Sequence, residues 1–279
     1  MNLVRSPAVD SGTAALRGAL EREWYHTIEL APGIETPGWF DTRQVVREIP
    51  FPMSLAGKRC LDVATFDGFW AFEMERRGAA ETVGIDILDP MAWDWPVGSD
   101  RAVIAALKRR KEGGEGFLIA QEALGSSVIR RELSVYDLDP SEVGEFDFVY
   151  VGSLLMHLRD PVRALECVRS VCRGSLLLVD NINLGLTLGH WRRPVAALDG
   201  VGRPWWWKLN LAGLVRVVEA AGFRLVRAPK RIWMPAGAGH PKPHFNLNLV
   251  RSEEARSLLL TALKGDPHAA LLAEPLPDT

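Results

Sequence analysis

From Arg59 onward, hydrophobic positions cluster in short, nearly continuous apolar runs separated by longer amphipathic segments. The runs fall at Arg59–Ala64, Glu81–Ile87, Val128–Ser134, Asp147–Gly152 and Ser175–Asp180. Continuity of this kind predicts strands buried on both faces, as in a parallel sheet. Helical periodicity follows at Asp67–Arg77, Pro161–Cys172 and Leu209–Ala221, the last ending at Gly222, a natural left-handed cap. Two further strands, Arg224–Trp233 and Phe245–Arg251, have no long helical segment between them, which suits an antiparallel pair at the sheet edge. A helix over Ser252–Lys264 and a proline-rich tail complete the chain. The expected fold is α/β: a Rossmann-like, doubly wound, mostly parallel seven-stranded sheet with an antiparallel edge strand.

Three stretches interrupt this alternation. Residues 1–57 begin with a short helix near Thr13–Glu23 and continue in prolines, glycines and aromatics, which break any long element. They are expected to form an arm or lid over the crevice. Residues 88–126 form an insertion with two amphipathic helices around the charged hinge Lys108–Gly114. Residues 181–208 are irregular and rich in tryptophan, and are read as a substrate segment. The expected division is an arm (1–57), a cofactor-binding domain (58–251) and a C-terminal helix and tail (252–279).

Composition narrows the class. Of 279 residues, 47% are hydrophobic, enough for a large core in one α/β domain. No run approaches the roughly 18 apolar residues of a membrane span. The three cysteines, Cys60, Cys167 and Cys172, have no metal-ligand spacing and read as core residues of a cytoplasmic protein. A net charge of −2 supplies no general attraction to nucleic acid. The basic run Lys108-Arg109-Arg110-Lys111 reads as a solvated helix end, where cations complement the macrodipole.

The chemistry lies at the strand ends. Asp62, Asp86 and Asp137 each follow a successive predicted strand, the layout of a nucleoside crevice at the carboxyl edge of a parallel sheet. A dinucleotide would need several glycines so that its pyrophosphate could approach backbone N–H groups. Here Gly68 is the one glycine in the first turn, and Asp62 would repel a phosphate. A cationic cofactor without phosphates, S-adenosyl-L-methionine, fits better. In that reading Asp62 and the turn Ala64, Thr65, Phe66 and Gly68 hold the methionine part. Asp86 and Ile87 meet the ribose, Tyr136 and Asp137 the adenine, and Gly152 and Ser153 lie beside the methyl donor. His157 and His26 are the candidate general bases. Tyr25, Trp39, His190 and Trp191 are the candidate substrate contacts, and no metal site is expected. The side chain of Ala64 in the tight turn requires the backbone there to keep φ negative.

These residues carry a resemblance. Leu61-Asp62-Val63-Ala64-Thr65-Phe66-Asp67-Gly68 and Gly84-Ile85-Asp86 resemble the first motifs of class I S-adenosylmethionine-dependent methyltransferases. Trp24-Tyr25-His26-Thr27-Ile28, Thr36-Pro37-Gly38-Trp39, Asp67-Gly68-Phe69-Trp70 and Gly152–Pro161 are similar to bacterial relatives of the tRNA wobble-uridine carboxymethyltransferase. The resemblance implies that the arm helps close the cofactor site. A Trp-Arg-Lys-Gly segment, whose lysine meets a carboxylated cofactor in the tRNA enzyme, has no counterpart here. The expected activity is methyl transfer from ordinary S-adenosylmethionine to an O or N acceptor of a small molecule, with a specialised metabolite in view. The alternative is modification of the tRNA wobble uridine.

Overall fold

The computed structural model describes residues 16–241 and 253–277. Its centre is a sheet of eight strands: β1 (Arg59–Val63), β2 (Glu81–Asp86), β3 (Ile129–Glu132), β4 (Phe146–Gly152), β5 (Cys172–Asn181), β6 (Phe223–Leu225), β7 (Lys230–Met234) and β8 (Asp266–Pro275). The order across the sheet is β6-β8-β5-β4-β1-β2-β3, with β7 also pairing to β8. The first five strands run parallel, and β8 pairs antiparallel with β5 on one side and with β6 and β7 on the other. The direction therefore reverses one position in from the edge.

Period-two alternation sends successive residues of each central strand into two different cores. Leu61, Val63, Val149 and Val151 pack with helices α4 (Pro161–Val171) and α5 (Leu211–Ala220). Cys60, Phe148 and Tyr150 face the other way, against α1 (Phe69–Arg76) and the arm residues Trp24, Ile28 and Phe51. The insertion supplies α2 (Arg101–Lys111) and α3 (Glu115–Leu124), joined through Gly113 and Gly114 at φ values of +62° and +77°. The last helix, α6, spans Glu253–Lys264.

The sheet edge and the chain's two ends differ from the sequence expectation where they are described. The edge segment expected over Arg224–Trp233 is broken into β6 and β7. The closing antiparallel strand is β8 in the expected tail, while Phe245–Arg251 lies outside the described residues. Ala269, Ala270, Leu271 and Ala273 of β8 are buried, so the sheet domain cannot end at residue 251. The early helix expected at Thr13–Glu23 is helical over residues 16–19 and lies partly outside the described residues. The arm itself is an irregular set of short pairings, including Trp24–His26 parallel to Gly38–Phe40.

Candidate active site

The first turn is shaped around buried carboxylates. Asp62 sits in register between Gly84 of β2 and Tyr150 of β4. Its Oδ2 accepts from the Thr65 hydroxyl at 2.7 Å and from the Ala71 N–H at 3.2 Å. Burial pushes the Asp62 carboxyl up to about 7, against the opposing pull of the Thr65 bond. The chain then turns with Ala64 at φ +61° and Phe66 at φ +53°, so the expected negative φ at Ala64 is not what forms. A left-handed alanine costs about 1–2 kcal/mol. The turn holds it with bonds from the Thr65 N–H to Ile85 O (3.0 Å) and from the Phe66 N–H to Asp86 Oδ2 (2.7 Å). Gly68 is required twice over: its φ is +91°, and a Cβ there would lie 2.4 Å from the Phe72 ring. Ser153, at the end of β4, is a third non-glycine residue with positive φ, at +49°. Such strain persists where surrounding structure over-determines it, commonly at ligand sites.

These turns line a cavity of about 510 Å³ at the carboxyl ends of β1, β2 and β4. Asp62, Ala64, Phe66, Asp86, Ile87, Tyr136, Gly152 and Ser153 border it, as the sequence suggested, and so do Tyr25, His26 and His157. Thr65 and Gly68 shape the turn without bordering the cavity. Asp137 is corrected: it is exposed and off the cavity wall, which in that region consists of Leu133, Ser134, Val135 and Tyr136. A short 3-10 turn at Val135–Asp137, capped by the Ser134 side chain, carries Tyr136 inward and Asp137 outward.

The arm brings the histidine. Asp67 Oδ2 accepts from the backbone N–H groups of Tyr25 (3.0 Å) and His26 (2.8 Å), and its Oδ1 pairs with His26 Nδ1. His26 is 5% exposed, and its ring stacks on Phe69 at 5.4 Å. A carboxylate on Nδ1 fixes the tautomer and leaves Nε2 as an acceptor. His157 stands on the cavity wall with Nδ1 donating to Pro204 O at 2.9 Å, and the surrounding protein lowers its pKa by desolvation. Aromatic and apolar groups of Tyr25, Phe40, Trp70, Tyr150 and Met234 complete the inner wall, with Trp70 stacked on Tyr150 at 4.3 Å.

Three of the four expected substrate contacts lie elsewhere. Trp39 packs beneath the Arg110 guanidinium at 4.0 Å and against His240, while His190 and Trp191 are exposed away from the cavity. The other tryptophans of that segment pin it down. The indole N–H groups of Trp205, Trp206 and Trp207 donate to Asp199, Asp94 O and Arg159 O.

Several contributors were missed from sequence. Asp67 was read only as the end of the first turn and the start of its helix, although an acid there facing an aromatic-rich arm was a usable signal. Thr42 borders the cavity with a buried hydroxyl that has no hydrogen-bond partner among the described residues. Asp180 accepts from the N–H groups of Leu154 and Leu155 at 2.9 Å each, fixing the turn after β4. Lys111 corrects the solvated-end reading of the basic run: its side chain is fully buried and pairs with Asp86. Residues 104, 107 and 111 of α2 fall on one helix face, and the fold turns that face inward.

No family model matches the chain. Over 132 residues it is 27% identical to the ubiquinone biosynthesis O-methyltransferase of Psychrobacter cryohalolentis, a match covering 47% of this chain and 43% of that protein. The chain thus matches less than half the length of that curated relative. Among solved structures, the N-terminal domain of EvdMO1 with S-adenosylhomocysteine bound superposes at a TM-score of 0.50. It is 16% identical, with 95% of this chain and 97% of that one covered. A chain from the complex of the Haloferax volcanii Trm112 methyltransferase activator superposes at 0.51, with 11% identity over 97% of this chain and 96% of that one. The fold is shared with both.

Proposed function

We propose that this chain, which carries the fold of the class I S-adenosylmethionine-dependent methyltransferases, moves a methyl group from S-adenosylmethionine to an oxygen or nitrogen of a small molecule. The observation that carries the reading is the single cavity wall on which Asp62 and Asp86 end adjacent parallel strands, with the Asp67-held imidazole of His26 on the same cavity. The cofactor fits the donor set. Carboxylates replace the glycine nest that a pyrophosphate would need, and the volume lies in the usual range for small-molecule sites.

When bound, the cofactor supplies a methyl group on a sulfonium. The chain's residues do the rest. Asp62 faces the cationic methionine part, Asp86 accepts from the ribose hydroxyls, and Leu133, Val135 and Tyr136 flank the adenine. Tyr25, Phe40, Trp70 and Tyr150 orient an apolar or planar acceptor and exclude water, and the Thr42 hydroxyl is available to a polar substituent. His26 Nε2 takes the acceptor proton, and Asp67 stabilises the imidazolium that forms. His157, on the same cavity wall with its Nδ1 committed to Pro204 O, is the alternative base. The arm therefore acts as a lid that also delivers the base.

A small acceptor is favoured over tRNA by the aromatic inner wall and by a net charge of −2, since tRNA contacts need a basic face. The test is incubation with methyl-labelled S-adenosylmethionine and separate pools of phenols, catechols, small amines and bulk tRNA. Label should enter a small-molecule pool. Label entering only tRNA would contradict the proposal.

A further inference from the structure

The C-terminal end of α2 reaches two parts of the site at once. Lys111 Nζ pairs with Asp86 Oδ2 in a fully buried position and lies 4.3 Å over the Phe66 ring. Phe66 donates its backbone N–H to the same Asp86 oxygen. The preceding residue, Arg110, stacks on Trp39 and pairs with Glu23 at 3.5 Å, both in the arm. One turn earlier, Leu107 borders the cavity itself. The insertion is therefore fastened to the carboxylate expected to meet the ribose and to the arm that carries His26.

A lysine without a counter-charge would not remain in such a position, because an unpaired buried ammonium is strongly disfavoured. The pairing also constrains Asp86. With Oδ2 occupied by Phe66 and Lys111, the carboxylate cannot rotate freely, and Oδ1 is the oxygen left for a ligand. We propose that Lys111 is a positioning residue of the cofactor site. Its ammonium fixes Asp86 so that the free oxygen meets the ribose hydroxyls. The inference rests on reading the cavity as an S-adenosylmethionine site.

The test compares two ligands on the full-length chain by calorimetry: S-adenosylhomocysteine and its 2′,3′-dideoxy analogue, which lacks the hydroxyls that Asp86 would accept from. In Lys111→Met, S-adenosylhomocysteine should bind about tenfold or more weakly than in the parent, the scale of a lost charge-assisted contact. The dideoxy analogue should bind parent and variant within about twofold. Lys111→Gln, which keeps a donor without the charge, is measured alongside and serves if Lys111→Met does not fold. Equal losses for both ligands would reduce Lys111 to a purely structural role, and no loss or tighter binding would overturn the proposal. Absence of S-adenosylhomocysteine binding to the parent chain would instead remove the cofactor reading on which it rests.

Discussion

The Thr65 hydroxyl donates to the Asp62 carboxylate at 2.7 Å, and both residues are almost wholly shielded from water, at 2% and 1% exposure. Shielding outweighs this bond and holds the Asp62 pKa near 7. A cationic ligand favours the ionised form, so binding should expel a proton from Asp62 below about pH 7. S-adenosylmethionine affinity should rise between about pH 6 and 8 and level off above. Asp62→Asn should flatten the dependence. The measurement is calorimetry in buffers of different ionisation enthalpy, and a pH-independent affinity in the parent chain would contradict it.

The same shift acts on stability with a definite sign. Between the ordinary carboxylate range and about pH 7, the folded chain keeps a proton that the unfolded chain has lost. The Asp62 contribution should therefore make the fold less stable as pH rises through that window. Urea midpoints for the parent and Asp62→Asn at several pH values would isolate it, because the variant removes the titration.

Ala64 gives a test of strain. Replacing it with glycine removes a left-handed cost of about 1–2 kcal/mol and adds unfolded-state entropy of roughly 0.5–1 kcal/mol. Ala64→Gly should stabilise the chain by about 0.5–1 kcal/mol, read from denaturant unfolding. Destabilisation would mean that the alanine methyl packs usefully at this turn.

Much of this arrangement was legible locally. An apolar run ending in an acid, then a turn and a helix, is a short-range pattern, and it located Asp62, Asp86 and most of the first turn. The two insertion helices were equally readable because Gly113-Gly114 punctuates them. The final strand was not. His268-Ala269-Ala270-Leu271-Leu272-Ala273 has little intrinsic preference for a strand and becomes one by lying between β5 and the pair β6 and β7. Asp137 shows the opposite limit: its place in the chain was right, but one short turn decided that Tyr136 would face inward. For Lys111, four consecutive cations carry almost no information about which one is buried. That depends on the helix phase against the rest of the fold.

The ion pair between Asp86 and Lys111 makes a stability prediction of its own. Asp86→Ala leaves a buried ammonium without its partner and should cost about 3–5 kcal/mol. The double variant Asp86→Leu with Lys111→Met should be more stable than Asp86→Ala. Thermal or urea unfolding of the variants checks both statements, and a double variant no more stable than Asp86→Ala would count against the pairing.

His26 and Asp67 should act together in turnover. His26→Asn should lower methyl transfer by about 100-fold or more while S-adenosylhomocysteine affinity stays within about twofold. Asp67→Asn should show a comparable loss, because the imidazole then loses both its tautomer and its counter-charge. The assay is initial-rate transfer to whichever small-molecule pool is labelled by the parent chain. Near-normal rates in His26→Asn would transfer the role of base to His157.

The most direct measurement is isothermal calorimetry of the folded full-length chain with S-adenosylmethionine and, separately, S-adenosylhomocysteine. Both should bind at one site per chain, each should displace the other, and Asp86→Asn should weaken both by about 1.5–3 kcal/mol. Absence of binding by either compound to a chain that is demonstrably folded would contradict the account at its root.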